Sequence, residues 1–121
     1  MAYIECINTK TDSRTYFAMT KPIISIGSKS GNDILLNKGD IGTHHARIVK
    51  RGDAFTIQLL DMKRPFFVNG RSFRSCPLKF DDKIDLSFYT LHLRDGAIPN
   101  DDTERQKDLK TLQELVAFSA A

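Results

Sequence analysis

Three short stretches of this chain hold residues that could do chemistry. The first is Ser28-Lys29-Ser30-Gly31, which follows a β-branched run ending at Ile26-Gly27. A lysine supplies a point charge to an anion, and the amides of a loop rich in serine and glycine can cradle one. An ordinary solvated loop is the competing reading. The second stretch is Gly42-Thr43-His44-His45. Adjacent histidines suggest a metal, but neighbours on a strand point to opposite faces. His92, Cys6 and Cys76 stand at no ligand spacing from them, so no metal site is expected. The third is Lys63-Arg64-Pro65, two cations at a turn, with a solvated hairpin end as the alternative. Asp81-Asp82 is the one paired carboxylate in this part of the chain. No serine or cysteine with a histidine and a third partner falls into a recognisable catalytic motif. No glycine-rich nucleotide loop is present. The chain therefore reads as a non-enzyme with no cofactor.

Short strands must position these stretches. Tyr3–Ile7, Thr15–Met19 and Ile23–Ile26 are rich in β-branched and aromatic residues. Ala46–Val49 and Phe55–Leu60 flank a turn at Gly52-Asp53, and Phe66–Val68 and Ser72–Phe73 flank Asn69-Gly70. Asn-Gly is a strong hairpin signal because both residues accept positive φ at low cost. Ile84, Leu86, Phe88 and then Tyr89, Leu91, Leu93 alternate in opposite phase, which predicts a tight turn near Phe88-Tyr89. Turns at this density indicate an all-β sandwich of two sheets rather than a parallel α/β fold.

Composition is consistent with one domain plus an appendage. The 121 residues are 40% hydrophobic, with eight phenylalanines and no tryptophan, enough for a single core. No apolar run approaches the ~20 residues that span a bilayer, and the N-terminus has no basic-then-apolar leader. A cytoplasmic protein away from membranes is the expectation. Cys6 and Cys76 read as reduced, partly buried thiols. Residues 1–99 hold 15 Lys/Arg against 10 Asp/Glu, and residues 100–121 hold 3 against 5. The basic body suits an acidic or phosphorylated partner, but no basic stripe with stacking aromatics marks nucleic-acid binding.

Taken in order, four patches carry a family likeness. They are Ile26-Gly27 with Asn32-Asp33-Ile34, His45-Ala46-Arg47-Ile48, Val68-Asn69-Gly70, and Leu78 with Asp81-Asp82-Lys83-Ile84. In this order the chain resembles the forkhead-associated (FHA) domain over roughly residues 3–95. That resemblance implies a β-sandwich of about 10–11 strands that reads phosphothreonine peptides with its loops. It also implies departures. The family's phosphate-pairing Arg after the glycine is Ser28 here, followed by Lys29. Its Ser-Arg-x-His becomes Gly42-Thr43-His44-His45, so the phosphate-binding Ser is Gly42 and the next Arg is Thr43. The segment Asp61–Val68 is about two residues short and lacks the Asn that fixes the peptide backbone. Asp81 stands where the family's turn has glycine. Gly27, Asn32, His45, Asn69 and Gly70 match framework positions that shape and brace the loops.

The sequence changes character after Asp95. Residues 96–101 read as a linker after a sandwich of residues 1–95, and residues 102–121 as an α-helix. Thr103-Glu104-Arg105-Gln106 fits a capping box, and Leu109, Leu112, Leu115 and Val116 recur at helical spacing. A helix this short is marginal alone, so its stripe is expected to be covered by the sandwich or by a second copy in a homodimer. Leu109–Ser119 also resembles the connecting helix ahead of GAF sensor domains in bacterial signalling proteins.

These readings converge on protein–protein recognition inside a bacterial signalling protein, with a degenerate phosphothreonine site at Ser28, Lys29, Gly42, Thr43, Lys63 and Arg64. The alternatives are a phosphopeptide reader with a site rebuilt from Lys29, Thr43, Lys63 and Arg64, or an N-terminal regulatory domain for an attached output domain.

Overall fold

The computed structural model describes residues 1–99. Eleven strands form two sheets: β1 (Ala2–Asn8), β2 (Ser13–Ala18), β3 (Ile23–Gly27), β4 (Ile34–Leu35), β5 (Ala46–Arg51), β6 (Ala54–Leu59), β7 (Phe67–Val68), β8 (Arg71–Ser72), β9 (Ser75–Leu78), β10 (Lys83–Leu86) and β11 (Tyr89–Asp95). One sheet runs β2-β1-β11-β10-β7-β8 and the other β4-β3-β5-β6-β9. The fold is an all-β sandwich with no helix among the described residues. The expected C-terminal helix and its stripe lie outside those residues.

Alternation along each strand builds the core. Ile4, Leu91, Leu93, Ile84, Leu86 and Val68 point inward from the first sheet, and Ile24, Ile26, Ile34, Ile48, Ile57 and Phe55 meet them from the second. Phe66, just ahead of β7, is wholly buried. Burying an isoleucine contributes roughly 1.5–3 kcal/mol. A one-residue slip of β3 would turn Ile24 and Ile26 outward together, so the pairing Ile24↔Ile48 and Ile26↔Ala46 is strongly specified.

The turns follow local chemistry. Asn69 and Gly70 both have positive φ, 50° and 87°, and join β7 to β8. Asp81 takes φ 75°, a value that suits the glycine of the FHA pattern. The turn between β10 and β11 falls at Ser87-Phe88, since Leu86 already pairs with Tyr89. That is one residue earlier than the phase change predicts. The β8 pairing likewise covers Arg71 and Ser72 rather than Ser72–Phe73.

The outward face of the first sheet carries a clasp. Glu5 is only 6% exposed, and its carboxylate accepts from Arg14 at 2.8 Å and from Arg94 at 2.9 Å. Burial alone raises its pKa, but the bonds from Arg94 and Arg14 together outweigh it and hold the carboxyl below its ordinary value. His92 Nδ1 lies 3.6 Å from Glu5. Burial first, then the Arg94 charge, pushes the imidazole pKa down.

β1 begins and β11 ends side by side, with Ala2 opposite Asp95. Met1 and Gly96 therefore sit together at one end of the sandwich. The loops that hold the candidate binding residues Ser28, Lys29, Gly42, Thr43, Lys63 and Arg64 emerge at the other end.

Candidate functional site

Four segments meet at this far end: residues 28–33 after β3, 36–45 before β5, 60–66 after β6, and the Ser87-Phe88 turn. The ladder brings the first three together, because Ile26 pairs with Ala46 and Ala46 with Leu59. Short backbone bonds then join the loops. Ser28 N–H donates to the Gly42 carbonyl at 3.0 Å, and Lys29 N–H to the Thr43 carbonyl at 3.4 Å. This close approach is why residue 27 is glycine. A Cβ there would lie 2.2 Å from the Thr43 carbonyl oxygen.

Asn32 fastens the same junction. Its Nδ2 donates to the Lys29 carbonyl at 2.7 Å and to the Thr43 carbonyl at 2.8 Å. Next to it, Asp33 accepts from Ser25 N–H at 2.8 Å and pairs with Lys21. The Lys21 bond leads the contacts that hold the Asp33 carboxyl below its ordinary range.

His45 links the two loops that flank the site. It is 1% exposed. Its Nδ1 accepts from Gly42 N–H at 3.2 Å, so Nε2 carries the proton and donates to the Pro65 carbonyl at 3.1 Å. The backbone carbonyl of His45 accepts from Leu60 N–H and Asp61 N–H. One residue thus fixes the 36–45 loop against the 60–66 loop. Its neighbour His44 is exposed, and no group of three His, Cys, Asp or Glu side chains among the described residues could hold a metal ion. Asn69 and Gly70 lie at the opposite end, where Asn69 bonds Asp82 and Lys83.

The candidate binding residues divide into two groups. Lys29, Thr43 and Lys63 are exposed on three loops of this end, and Ser28 is half-buried between them. Arg64 behaves differently. Its Nε donates to Asp40 at 2.7 Å and its Nη1 to Asp61 at 3.0 Å. Those two bonds, Asp40 first, raise its pKa. Asp61 in turn accepts from Lys63 N–H at 3.0 Å, and this bond leads the lowering of its pKa, with Arg64 adding to it. The guanidinium is therefore engaged by two carboxylates of the same chain.

Gly42 shows what those carboxylates displace. A Cβ on Gly42 would lie 2.2 Å from Asp61 Oδ2 and 3.0 Å from Asp61 Cβ. The space a serine side chain would need at this position holds the Asp61 carboxylate. Sequence reasoning missed Asp61 and Asp40. A local signal existed for Asp61, since an aspartate capping the amide two residues on is an ordinary turn and Arg64 stands three residues away. No local signal marks Asp40, which meets Arg64 from 24 residues away.

The comparisons fit this geometry. The solved structure of the FHA domain of the CT664 protein from Chlamydia trachomatis is 22% identical. It superposes with a TM-score of 0.68 over 79% of this chain and 98% of that one. EmbR from Mycobacterium tuberculosis, solved in complex with a low-affinity phosphopeptide, is 21% identical at TM-score 0.69, over 83% of this chain and 26% of EmbR. The cytoplasmic domain of the type III secretion sorting-platform protein PscD from P. aeruginosa is 12% identical at TM-score 0.67, over 82% of this chain and 86% of that one. These are likenesses of fold. No curated protein matches the chain. The FHA domain family model matches residues 24–87, more than half of the sequence and every loop of the site but the Ser87-Phe88 turn's last residue. The chain belongs to the FHA domain family.

Proposed function

We propose that this chain is a non-catalytic protein-recognition module of a signalling protein, and that its loop end engages a partner without gripping phosphothreonine. The observation that carries this reading is the Asp61 carboxylate beside Gly42. It fills the place of a serine side chain and, with Asp40, takes up Arg64. A phosphate entering there meets two carboxylates and an arginine already paired. Ser28 offers no guanidinium, and no asparagine precedes Phe66 in the 60–66 loop.

The magnitude decides between this reading and a weakened phosphopeptide reader. Hydrogen bonds to charged groups contribute roughly 1.5–3 kcal/mol each. Two missing bonds weaken a micromolar complex by about a hundredfold or more. The expected result of titrating a phosphothreonine peptide library with unphosphorylated controls is no preference for phosphate. Micromolar, phosphate-dependent binding that is lost in Lys29→Ala or Arg64→Ala would instead favour a site rebuilt from Lys29, Thr43, Lys63 and Arg64.

The domain arrangement is part of the proposal. EmbR is a longer protein of which the matched unit is 26%. By analogy, residues 1–95 act as the recognition unit, residues 96–101 as a linker and residues 102–121 as the start of a connection to an output domain. Limited proteolysis of the full chain, with cleavage expected between residues 96 and 101, tests those boundaries.

A further inference from the structure

Beside Arg64, on the β7 side of the loop end, lies a groove of about 240 Å³ lined by Asp40, Arg64, Pro65, Phe67, Asp85 and Ser87. Its floor follows from the strand pattern. Val68 points into the core, so Phe67 points outward, and the residue is 40% exposed. Phe67 stands opposite Asp85 in the β7–β10 register, which places the aromatic ring and the carboxylate side by side on one face. Met62, on the neighbouring loop, is 57% exposed. Two exposed apolar side chains thus stand at this part of the loop end.

The charge of this groove runs against the rest of the molecule. Residues 1–99 carry five more basic than acidic side chains, 15 against 10. Here two carboxylates, Asp40 and Asp85, line the groove with one arginine, Arg64, whose charge is already shared between Asp40 and, outside the lining, Asp61. Asp85 accepts from the Thr90 hydroxyl at 2.7 Å, and its nearest cation is Lys83 Nζ at 4.0 Å. A phosphate is repelled by this lining. A long cationic side chain fits it, with its methylenes on Phe67 and Pro65 and its head between carboxylates.

We propose that this groove docks an unphosphorylated protein segment through a lysine or arginine side chain laid across Phe67 toward Asp40 and Asp85. The proposal rests on the reading of the loop end as a partner surface without a phosphate grip, and it names what that surface selects. Charge complementarity identifies the occupant: two carboxylates against one arginine line an aromatic groove, in a body whose residues 1–99 are net basic.

The test is an amide-resolved NMR titration of the ¹⁵N-labelled full chain with acetyl-hexa-arginine amide, and separately with a hexaglutamate and a phosphothreonine peptide. The expected result is saturable shifts at Asp40, Arg64, Phe67, Asp85 and Ser87 with hexa-arginine alone. Asp40→Asn with Asp85→Asn, and separately Phe67→Ala, should each weaken binding at least about fivefold, while Asp53→Asn at the far turn leaves it unchanged. Shifts scattered over other acidic residues, no shifts at the groove, or full affinity in the Asp40→Asn/Asp85→Asn variant would overturn the proposal. The phosphothreonine arm separates the two readings: phosphate-dependent shifts at Ser28, Lys29 and Thr43 would overturn the degenerate-site reading, whatever hexa-arginine does.

Discussion

Replacing His45 with alanine removes the brace between the two loops that build the site. The ring is 1% exposed and bonds Gly42 N–H and the Pro65 carbonyl at 3.2 and 3.1 Å. Each orphaned backbone group costs about 1–3 kcal/mol, and the lost packing adds to that. Water can enter near the loop ends and meet part of the need, so the low end applies to each group. With about 1 kcal/mol for the lost packing, the sum is about 3 kcal/mol, a large part of the ~5–15 kcal/mol that holds a domain together. For a domain of this size 1 kcal/mol moves Tm by about 4–8 °C, so Tm should fall by roughly 12–24 °C. His45→Gln keeps a donor and an acceptor on a shorter reach and should recover part of the loss. Calorimetry or urea denaturation of the three proteins measures this, and amide exchange at Gly42 should speed up in His45→Ala. A His45→Ala protein that melts within about 4 °C of the parent would refute the bracing role.

Three further outcomes follow from the same contacts. Gly42→Ala should destabilise the chain by driving Asp61 off Arg64 and Lys63, and the same substitution should cost much less in an Asp61→Gly background; costs that simply add in a double-mutant denaturation cycle would place Asp61 elsewhere. His92 has a depressed folded pKa, so the unfolded chain binds its proton more readily. Its contribution is present above the unfolded pKa of about 6.5 and lost as pH falls below it. Urea midpoints between pH 7 and 5 should therefore drop in the parent and drop less in His92→Gln. Glu5, also depressed, acts only lower, below its unfolded value of about 4.3. Cys6 is 5% exposed and burial pushes its pKa to about 11, so native protein should resist iodoacetamide at neutral pH, read by mass spectrometry, and urea-unfolded protein should not.

Much of the frame was legible because it is local. Asn69-Gly70 and Gly52 mark their hairpins by backbone cost alone, and alternation in Tyr89–Leu93 and Ile84–Leu86 gives strands and faces together. Two strands escaped. β4 is only Ile34–Leu35, too short to show a period, and pairs in parallel with β3. β9 contains Pro77, which argues against a strand, yet β9 is the edge of its sheet and needs no donor on its free side. At the site, the residues that differ from the FHA pattern were visible in the sequence, but what fills their places was not. Arg64 reads as a free guanidinium until Asp40 arrives through space. Gly42 reads as a lost hydroxyl until Asp61 is found beside it.

The central claim is that this end of the sandwich recognises a partner without phosphate. The measurement that bears on it most directly is a phosphothreonine peptide library titrated into ¹⁵N-labelled chain beside its unphosphorylated copy, read at the amides of Ser28, Lys29, Gly42 and Thr43. Identical shifts with both libraries are the predicted result, because Asp61 and Asp40 already satisfy Arg64. Saturable shifts at those four amides with the phosphorylated library alone would contradict the account.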